Sequence, residues 1–258
     1  MTPPDLDTLA QLARSDELAD RAFANGALRL RYGRLPEDRE RTRAAYDDAR
    51  ACALRFHAKT RAGLKDGSLR GAALRALLEA HPSPDAFVEE LLDLAYPPLD
   101  EAPLPPLHTP YVASGVAEVL HALDATRLGP GDTLVDLGAG LGKVVLLARL
   151  LTGARTRGVE LDGTLVGQAR ERAASLGVEG VEFVQGDARE ADLGEAKVYY
   201  LFSPFAGEVL DTVMTRLESI AARRALYVCA SPAPYPWLTP VSPPSSWLVV
   251  HRSVPCRG

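Results

Sequence analysis

The residues with the clearest chemical potential form the run Asp136-Leu137-Gly138-Ala139-Gly140-Leu141-Gly142-Lys143, three glycines at alternate positions with an acid two residues before the first. Glycine lets the backbone turn tightly and approach a ligand that a Cβ would hold off. Spacing separates the cofactor classes that use such turns. A dinucleotide fingerprint, G-x-G-x-x-G, needs glycine where Lys143 stands. A phosphate-binding loop, G-x-x-x-x-G-K-[ST], needs glycine at Leu137 and a hydroxyl at Val144. The remaining pattern, acid-x-G-x-G-x-G, suits a ligand with no pyrophosphate to cradle.

Three further short runs carry polar groups in comparable places. Gly158-Val159-Glu160-Leu161-Asp162 offers a carboxylate, whose two oxygens can accept from both hydroxyls of a vicinal diol. Gln185-Gly186-Asp187-Ala188 offers a second acid, and Leu201-Phe202-Ser203-Pro204-Phe205 a hydroxyl beside a rigid proline and an aromatic ring. Upstream, His108-Thr109-Pro110-Tyr111 precedes a helical stretch. His108, His251, Tyr111, Tyr235 and Glu208 are the groups available for acid–base work or for positioning an acceptor, and no His/Asp arrangement typical of hydroxyl activation is legible.

The elements that position these runs follow from periodicity. From residue 131 the pattern repeats as strand, tight turn, helix. Strands are expected at Thr133–Leu137, Thr156–Leu161, Val181–Gln185, Lys197–Phe202 and Ala225–Ala230. Helices are expected at Val116–Leu123, Val144–Leu151, Gly163–Leu176 and Ala206–Ala221. This alternation implies an α/β fold with a doubly wound, mostly parallel sheet, in which ligands bind outside the carboxyl ends of the strands. The first four runs above each lie at or just after such an end, and the His108–Tyr111 run precedes the first helix of this region. In the proline-rich stretch after residue 231, only Trp247–His251 reads as a clear strand.

Residues before about 96 read as helical. Ser83 stands as N-cap and Pro84 at the first position of a helix whose stripe is Phe87, Val88, Leu91, Leu92 and Ala95. A long helix is expected from 37 to about 62, acidic at its start and basic at its end. Its arginines interleave with Asp47 and Asp48, which favours a solvated face over a phosphate grip. Prolines crowd between Pro97 and Pro110 and mark a boundary, giving a helical N-terminal domain at 1–100 and a ligand-binding domain at 101–258. The expectation is that the helical domain closes over the carboxyl edge of the sheet and shapes the acceptor pocket.

Composition excludes several classes. The 258 residues are 47% hydrophobic and 24% charged, with 29 basic against 34 acidic side chains and a net charge of -5. That is ordinary globular composition, and the acidic balance makes nucleic acid an unlikely partner. No apolar run approaches a membrane span, and Met1-Thr2-Pro3-Pro4-Asp5 is not the start of a secretory signal, so a cytoplasmic protein is expected. Cys52, Cys229 and Cys256 show no C-x-x-C spacing and the five histidines are scattered, so neither a disulfide framework nor a metal is expected; Cys52 and Cys229 read as small buried hydrophobes.

The acid-x-G-x-G-x-G turn and the order of the other strand ends resemble the class I, Rossmann-like S-adenosylmethionine-dependent methyltransferases over residues 109–230. The run Leu134–Val145 is also similar to that of the disruptor-of-telomeric-silencing type of protein-lysine methyltransferase, although that type has an Asn-containing aromatic motif where this chain has Ser203. The resemblance implies S-adenosyl-L-methionine as cofactor and S-adenosyl-L-homocysteine as product. It implies cofactor contacts at Thr109, Tyr111, Asp136, Gly138, Gly140, Gly142, Glu160 (ribose), Leu161, Asp187 (adenine amino group), Ala188 (a ring nitrogen) and Ser203. Ser203, Pro204, Phe205 and Tyr111 would lie beside the transferred methyl, with the Ser203 hydroxyl and the Phe202 or Pro204 carbonyl accepting from an acceptor N–H and Phe205 enclosing it. The implied partner is a methyl acceptor, a protein amine or a small molecule, with nitrogen favoured over oxygen. A small-molecule O-methyltransferase and a non-catalytic binding module are the alternatives.

Overall fold

The computed structural model describes residues 6–12, 14–15, 24, 39–94, 106–109, 111–231, 235–244 and 248–254. The chain divides into two compact units, Met1–Asp93 and Leu94–Gly258.

In the first unit, helices span Leu6–Leu12 (α1), Arg39–Asp66 (α2), Ala72–Ala80 (α3) and Pro84–Leu91 (α4). The side chains of residues 39–50, with their arginines, and that of Cys52 lie outside the described residues. α4 begins on Pro84 as expected, but the Ser83 side chain makes no cap hydrogen bond. It ends earlier than the stripe suggested, because Asp93 takes a left-handed φ of 57°, and Ala95 falls outside the described residues. Phe87, Val88, Leu91 and Leu92 are buried. Phe87 stacks on His81 with centroids 4.7 Å apart and packs against Phe56 at 5.6 Å. α3 escaped the sequence reading, although Leu74, Leu77 and Leu78 form its buried face.

The second unit opens with α5 (Val116–Thr126) and then alternates: β1 (Thr133–Leu137), α6 (Lys143–Thr152), β2 (Arg155–Glu160), α7 (Gly163–Ser175), β3 (Val181–Gln185), β4 (Val198–Leu201), α8 (Gly207–Ala221) and β5 (Tyr227–Ala230). Two short strands follow, β6 (Leu238–Pro240) and β7 (Val249–Ser253). The sheet order is β3-β2-β1-β4-β5-β7-β6, with the first five strands parallel and β7 antiparallel to both β5 and β6. The expectation of a single strand after residue 231 is corrected by β6. A proline is tolerated there because β6 is the edge strand, where a missing N–H breaks no ladder. Trp247, read as the start of the last strand, lies outside the described residues.

One sheet face carries Val135, Leu137, Tyr199, Leu201, Val228 and Ala230 against Val209, Val213, Met214 and Leu217 of α8. Full burial of each large aliphatic side chain is worth roughly 1.5–3 kcal/mol, so this layer holds the strand ends in register. Cys229 is buried within β5, and burial pushes its thiol far above the usual range. Strand order reverses between β1 and β4, and the carboxyl ends Leu137 and Leu201 flank that point. A crevice at such a reversal is where doubly wound sheets bind ligands. No helix among the described residues is long and apolar enough to cross a membrane.

Candidate active site

The glycine turn leaves β1 at the reversal point. Gly138, Gly140 and Gly142 have φ of 85°, 52° and 82°, all in the left-handed region that L side chains avoid. Gly138 N and Ala139 N both donate to the Val159 carbonyl, at 2.8 and 3.1 Å, tying the turn to β2. A Cβ on Gly138 would overlap Pro204, and one on Gly140 would overlap the Tyr111 ring. Two distant runs therefore press on the turn, one from the end of β4 and one from the segment before α5.

That upstream segment is itself pinned to the β4 end. Thr109 N donates to the Pro204 carbonyl at 3.0 Å, Ala206 N donates to the Leu107 carbonyl at 2.9 Å, and His108 pairs with Phe205 in an antiparallel bridge. Of the two carbonyls named from sequence as acceptors for a substrate N–H, that of Pro204 already receives the Thr109 amide. Phe205 is buried in the α8 core, with the His108 ring edge-on at 6.5 Å, so it walls the site from within instead of lying open over an acceptor.

Glu160, at the end of β2, receives the Gly140 amide on Oε2 at 2.8 Å and the Asp162 amide on Oε1 at 3.0 Å. Its two oxygens are thus fixed over the glycine turn, each with a further lone pair to offer. The bond to Gly140 spans 20 residues, and no local pattern announces it. Asp136 sits behind the turn, 3% exposed. Burial, with the Glu160 charge adding, pushes its carboxyl up to about 8. Leu161 is exposed beside Glu160.

Beyond β3, Asp187 Oδ1 receives the Arg189 amide at 2.8 Å, and the Arg189 guanidinium bonds both carboxylate oxygens, the shortest contact 2.6 Å. The Arg189 hydrogen bond holds this carboxyl below its usual range against a smaller opposing effect of burial. Ala188 is buried, and its carbonyl is held by Arg216 of α8, which also bonds the Ala191 carbonyl. Arg216 was missed from the sequence, where it reads as one more surface cation on an amphipathic helix.

Ser203 is exposed at the end of β4 with φ 52°, a conformation that strains a non-glycine residue by about 1–2 kcal/mol. Its hydroxyl lies 2.6 Å from that of Ser231, which follows β5. Ser231 was also missed, though it holds the corresponding place one strand along. Among the described residues no group of three or more His, Cys, Asp or Glu is placed to hold a metal ion.

A methyltransferase-domain family model matches residues 134–223, the stretch from β1 to just past α8. Over those residues the chain carries a methyltransferase domain of the class I, S-adenosylmethionine-dependent kind. Among its relatives, the 23S rRNA (uracil(1939)-C(5))-methyltransferase RlmD of Shewanella sp. (strain MR-4) is 35% identical over 123 residues, 45% of this chain and 26% of that one. The protein-L-isoaspartate O-methyltransferase of Methanoregula boonei is 33% identical over 102 residues, 35% of this chain and 43% of that one. The chain therefore spans less than half the length of either relative. A solved RNA methyltransferase from Salinibacter ruber, in complex with S-adenosyl-L-homocysteine, is 30% identical and aligns over 57% of this chain and 95% of its own, with a TM-score of 0.47. The narrower likeness to the telomeric-silencing type rests on the run Leu134–Val145 alone.

Proposed function

We propose that the enzyme transfers a methyl group from S-adenosylmethionine to a nitrogen acceptor on a protein or a small molecule, at the reversal point between β1 and β4. The observation that carries this reading is the turn itself: Gly140 donates its amide to Glu160 while its α-carbon faces the Tyr111 ring. The residues present suit the cofactor. Glu160 would accept from the ribose hydroxyls, Asp187 from the adenine amino group, with Leu161 against the base and the Ala188 amide toward a ring nitrogen. Gly138, Gly140 and Gly142 let the backbone approach, Asp136 supports the turn from behind, and Thr109 and Tyr111 lie toward the methionine end.

When bound, the cofactor supplies a sulfonium methyl: the acceptor lone pair forms the new N–CH3 bond as the S–CH3 bond breaks, its electron pair returning to sulfur and the amine proton leaving to solvent. The chain's own part is orientation and exclusion of water, with no covalent intermediate. Ser203, its hydroxyl beside that of Ser231, would accept from the acceptor N–H, while the Pro204 ring packs against Gly138 of the glycine turn. An amine must reach the site neutral, which a dry, apolar surround favours by lowering its pKa. The relatives named above act on RNA and on protein; the net charge of -5 disfavours a polyanion here.

The test is incubation of the full chain with cell extract and isotopically labelled S-adenosylmethionine, followed by mass spectrometry of acceptors. Label on a protein or small-molecule nitrogen supports the reading. Label on oxygen, carbon or RNA would replace the acceptor assignment.

A further inference from the structure

The loop after β3 folds into a single turn, in which the Glu190 and Ala191 amides both donate to the Asp187 carbonyl, at 2.9 and 2.8 Å. The turn stops there, so the Ala188 and Ala191 carbonyls meet no backbone donor among the described residues. Arg216 of α8 supplies both: Nη1 donates to the Ala188 carbonyl at 2.9 Å and Nη2 to the Ala191 carbonyl at 2.7 Å. Upstream, the Gly186 amide donates to the Glu160 carbonyl at 2.9 Å. The turn is therefore held from β2 on one side and from α8 on the other.

Arg216 is half-buried and pairs with no carboxylate among the described residues. Its fork goes to two main-chain oxygens, a geometry suited to a planar guanidinium and not to the single point of a lysine ammonium. α8 in turn packs Val213, Met214 and Leu217 into the core, so the grip comes from a fixed element. What it holds is a donor beside an acceptor. The Ala188 amide donates to no group among the described residues, and Asp187 Oδ2 is contacted by the exposed Arg189 side chain alone. An adenine edge offers the complement, an amino group that donates and a ring nitrogen that accepts. Hypoxanthine, with a carbonyl for the amino group and a proton on that nitrogen, reverses both. A site built on such pairs rejects the reversed partner, because its own groups are then left unpaired.

We propose that Arg216 is the positioning residue for base recognition: its grip on the Ala188 and Ala191 carbonyls sets the Ala188 amide and the Asp187 carboxylate against one base edge and makes the site selective for a 6-aminopurine cofactor. Arg216 acts through that turn and touches no part of the cofactor. This assignment rests on the cofactor reading above and adds to it the residue on which the selectivity depends.

The test is calorimetric titration of the full chain with S-adenosyl-L-homocysteine and with S-inosyl-L-homocysteine, the same molecule carrying a 6-oxo group. The wild type should bind the adenosine ligand about tenfold or more tighter. Arg216→Ala should lose about tenfold in affinity for the adenosine ligand and less than about threefold for the inosine ligand, so that discrimination collapses. Arg216→Lys, which keeps the stem and the charge without the fork, should fall between, and it carries the comparison if Arg216→Ala does not fold. Arg223→Ala, just past the end of α8, removes an exposed cation bonded to the Ser219 carbonyl and should change neither affinity. Equal weakening of both ligands, or wild-type discrimination in the Arg216 variants, overturns the positioning role and leaves the cofactor reading intact. Equal binding of the two ligands by the wild type overturns the selectivity. A folded wild type that binds neither overturns the cofactor reading itself.

Discussion

Gly140→Ala separates two strains that the structure places on one residue. The first is conformational: at φ 52° a Cβ costs about 1–2 kcal/mol, paid in the stability of the turn. For a folded unit of the size of Leu94–Gly258, each 1 kcal/mol lowers Tm by about 2–4 °C, so this strain alone should lower Tm by about 2–8 °C, and the overlap described next adds to it. The second is steric. The new Cβ would overlap Cδ2 and Cε2 of Tyr111 and lie 3.4 Å from Cζ, so the ring must withdraw from the turn. Overpacking of this kind costs about 1–3 kcal/mol. If Tyr111 covers bound cofactor, a comparable loss should appear in affinity, about 5- to 150-fold at 1.4 kcal/mol per factor of ten. A thermal melt reads both strains in the stability of the fold, and calorimetric titration with S-adenosylmethionine reads the withdrawal of the Tyr111 ring. In the double variant Gly140→Ala/Tyr111→Ala the overlap is gone and the φ strain remains, so the two single losses in affinity should not add. Strict additivity, or wild-type affinity and Tm in Gly140→Ala, would refute the packing of Tyr111 on this turn.

Glu160→Ala should weaken cofactor binding by about 1–3 kcal/mol in the same titration, since it leaves ribose hydroxyls and the Gly140 amide unpaired. Arg189→Ala should tighten binding modestly, because the exposed ion pair no longer competes for Asp187; weaker binding would mean that Arg189 assists the ligand. Asp136 has its folded pKa raised to about 8 from an ordinary carboxylate value, so it favours the fold at low pH and that contribution is lost as pH rises from about 4 through 8. Denaturant unfolding of Asp136→Asn should lack the part of the wild-type decline, on the order of a few kcal/mol, that this group causes. Ser203→Gly should raise Tm slightly by relieving the positive φ while lowering turnover, and unchanged turnover would reduce Ser203 to a turn residue.

The parts of this fold legible in the sequence are those written locally. β1 and β3 were bounded to the residue because each apolar run ends in glycine or in Gln-Gly-Asp, and the helices between them carry a 3.6 period. The glycine turn was legible because its φ values demand glycine and its spacing excludes two other cofactor classes. β6 was not legible: three residues ending in proline have no periodicity, and the pairing with β7 that creates the strand is not a property of the segment. The Asp187 carboxylate could be located from sequence, but its grip on Arg189 depends on the tight turn between them. The burial of Phe205, the brace from Arg216 and the Ser203–Ser231 contact each depend on α8 or β5 arriving from elsewhere in the chain. The site's strand ends were therefore readable one by one, while the contacts that join them were not.

Four strand ends and the Tyr111 segment are proposed to form one S-adenosylmethionine site. Calorimetric titration of the full chain with S-adenosylmethionine tests it most directly. The expected result is saturable binding at one site per chain with a dissociation constant in the micromolar range, roughly -8 kcal/mol, weakened in Glu160→Ala. Absence of binding at millimolar cofactor by a folded chain, or equal binding by Glu160→Ala and Gly140→Ala, would contradict it.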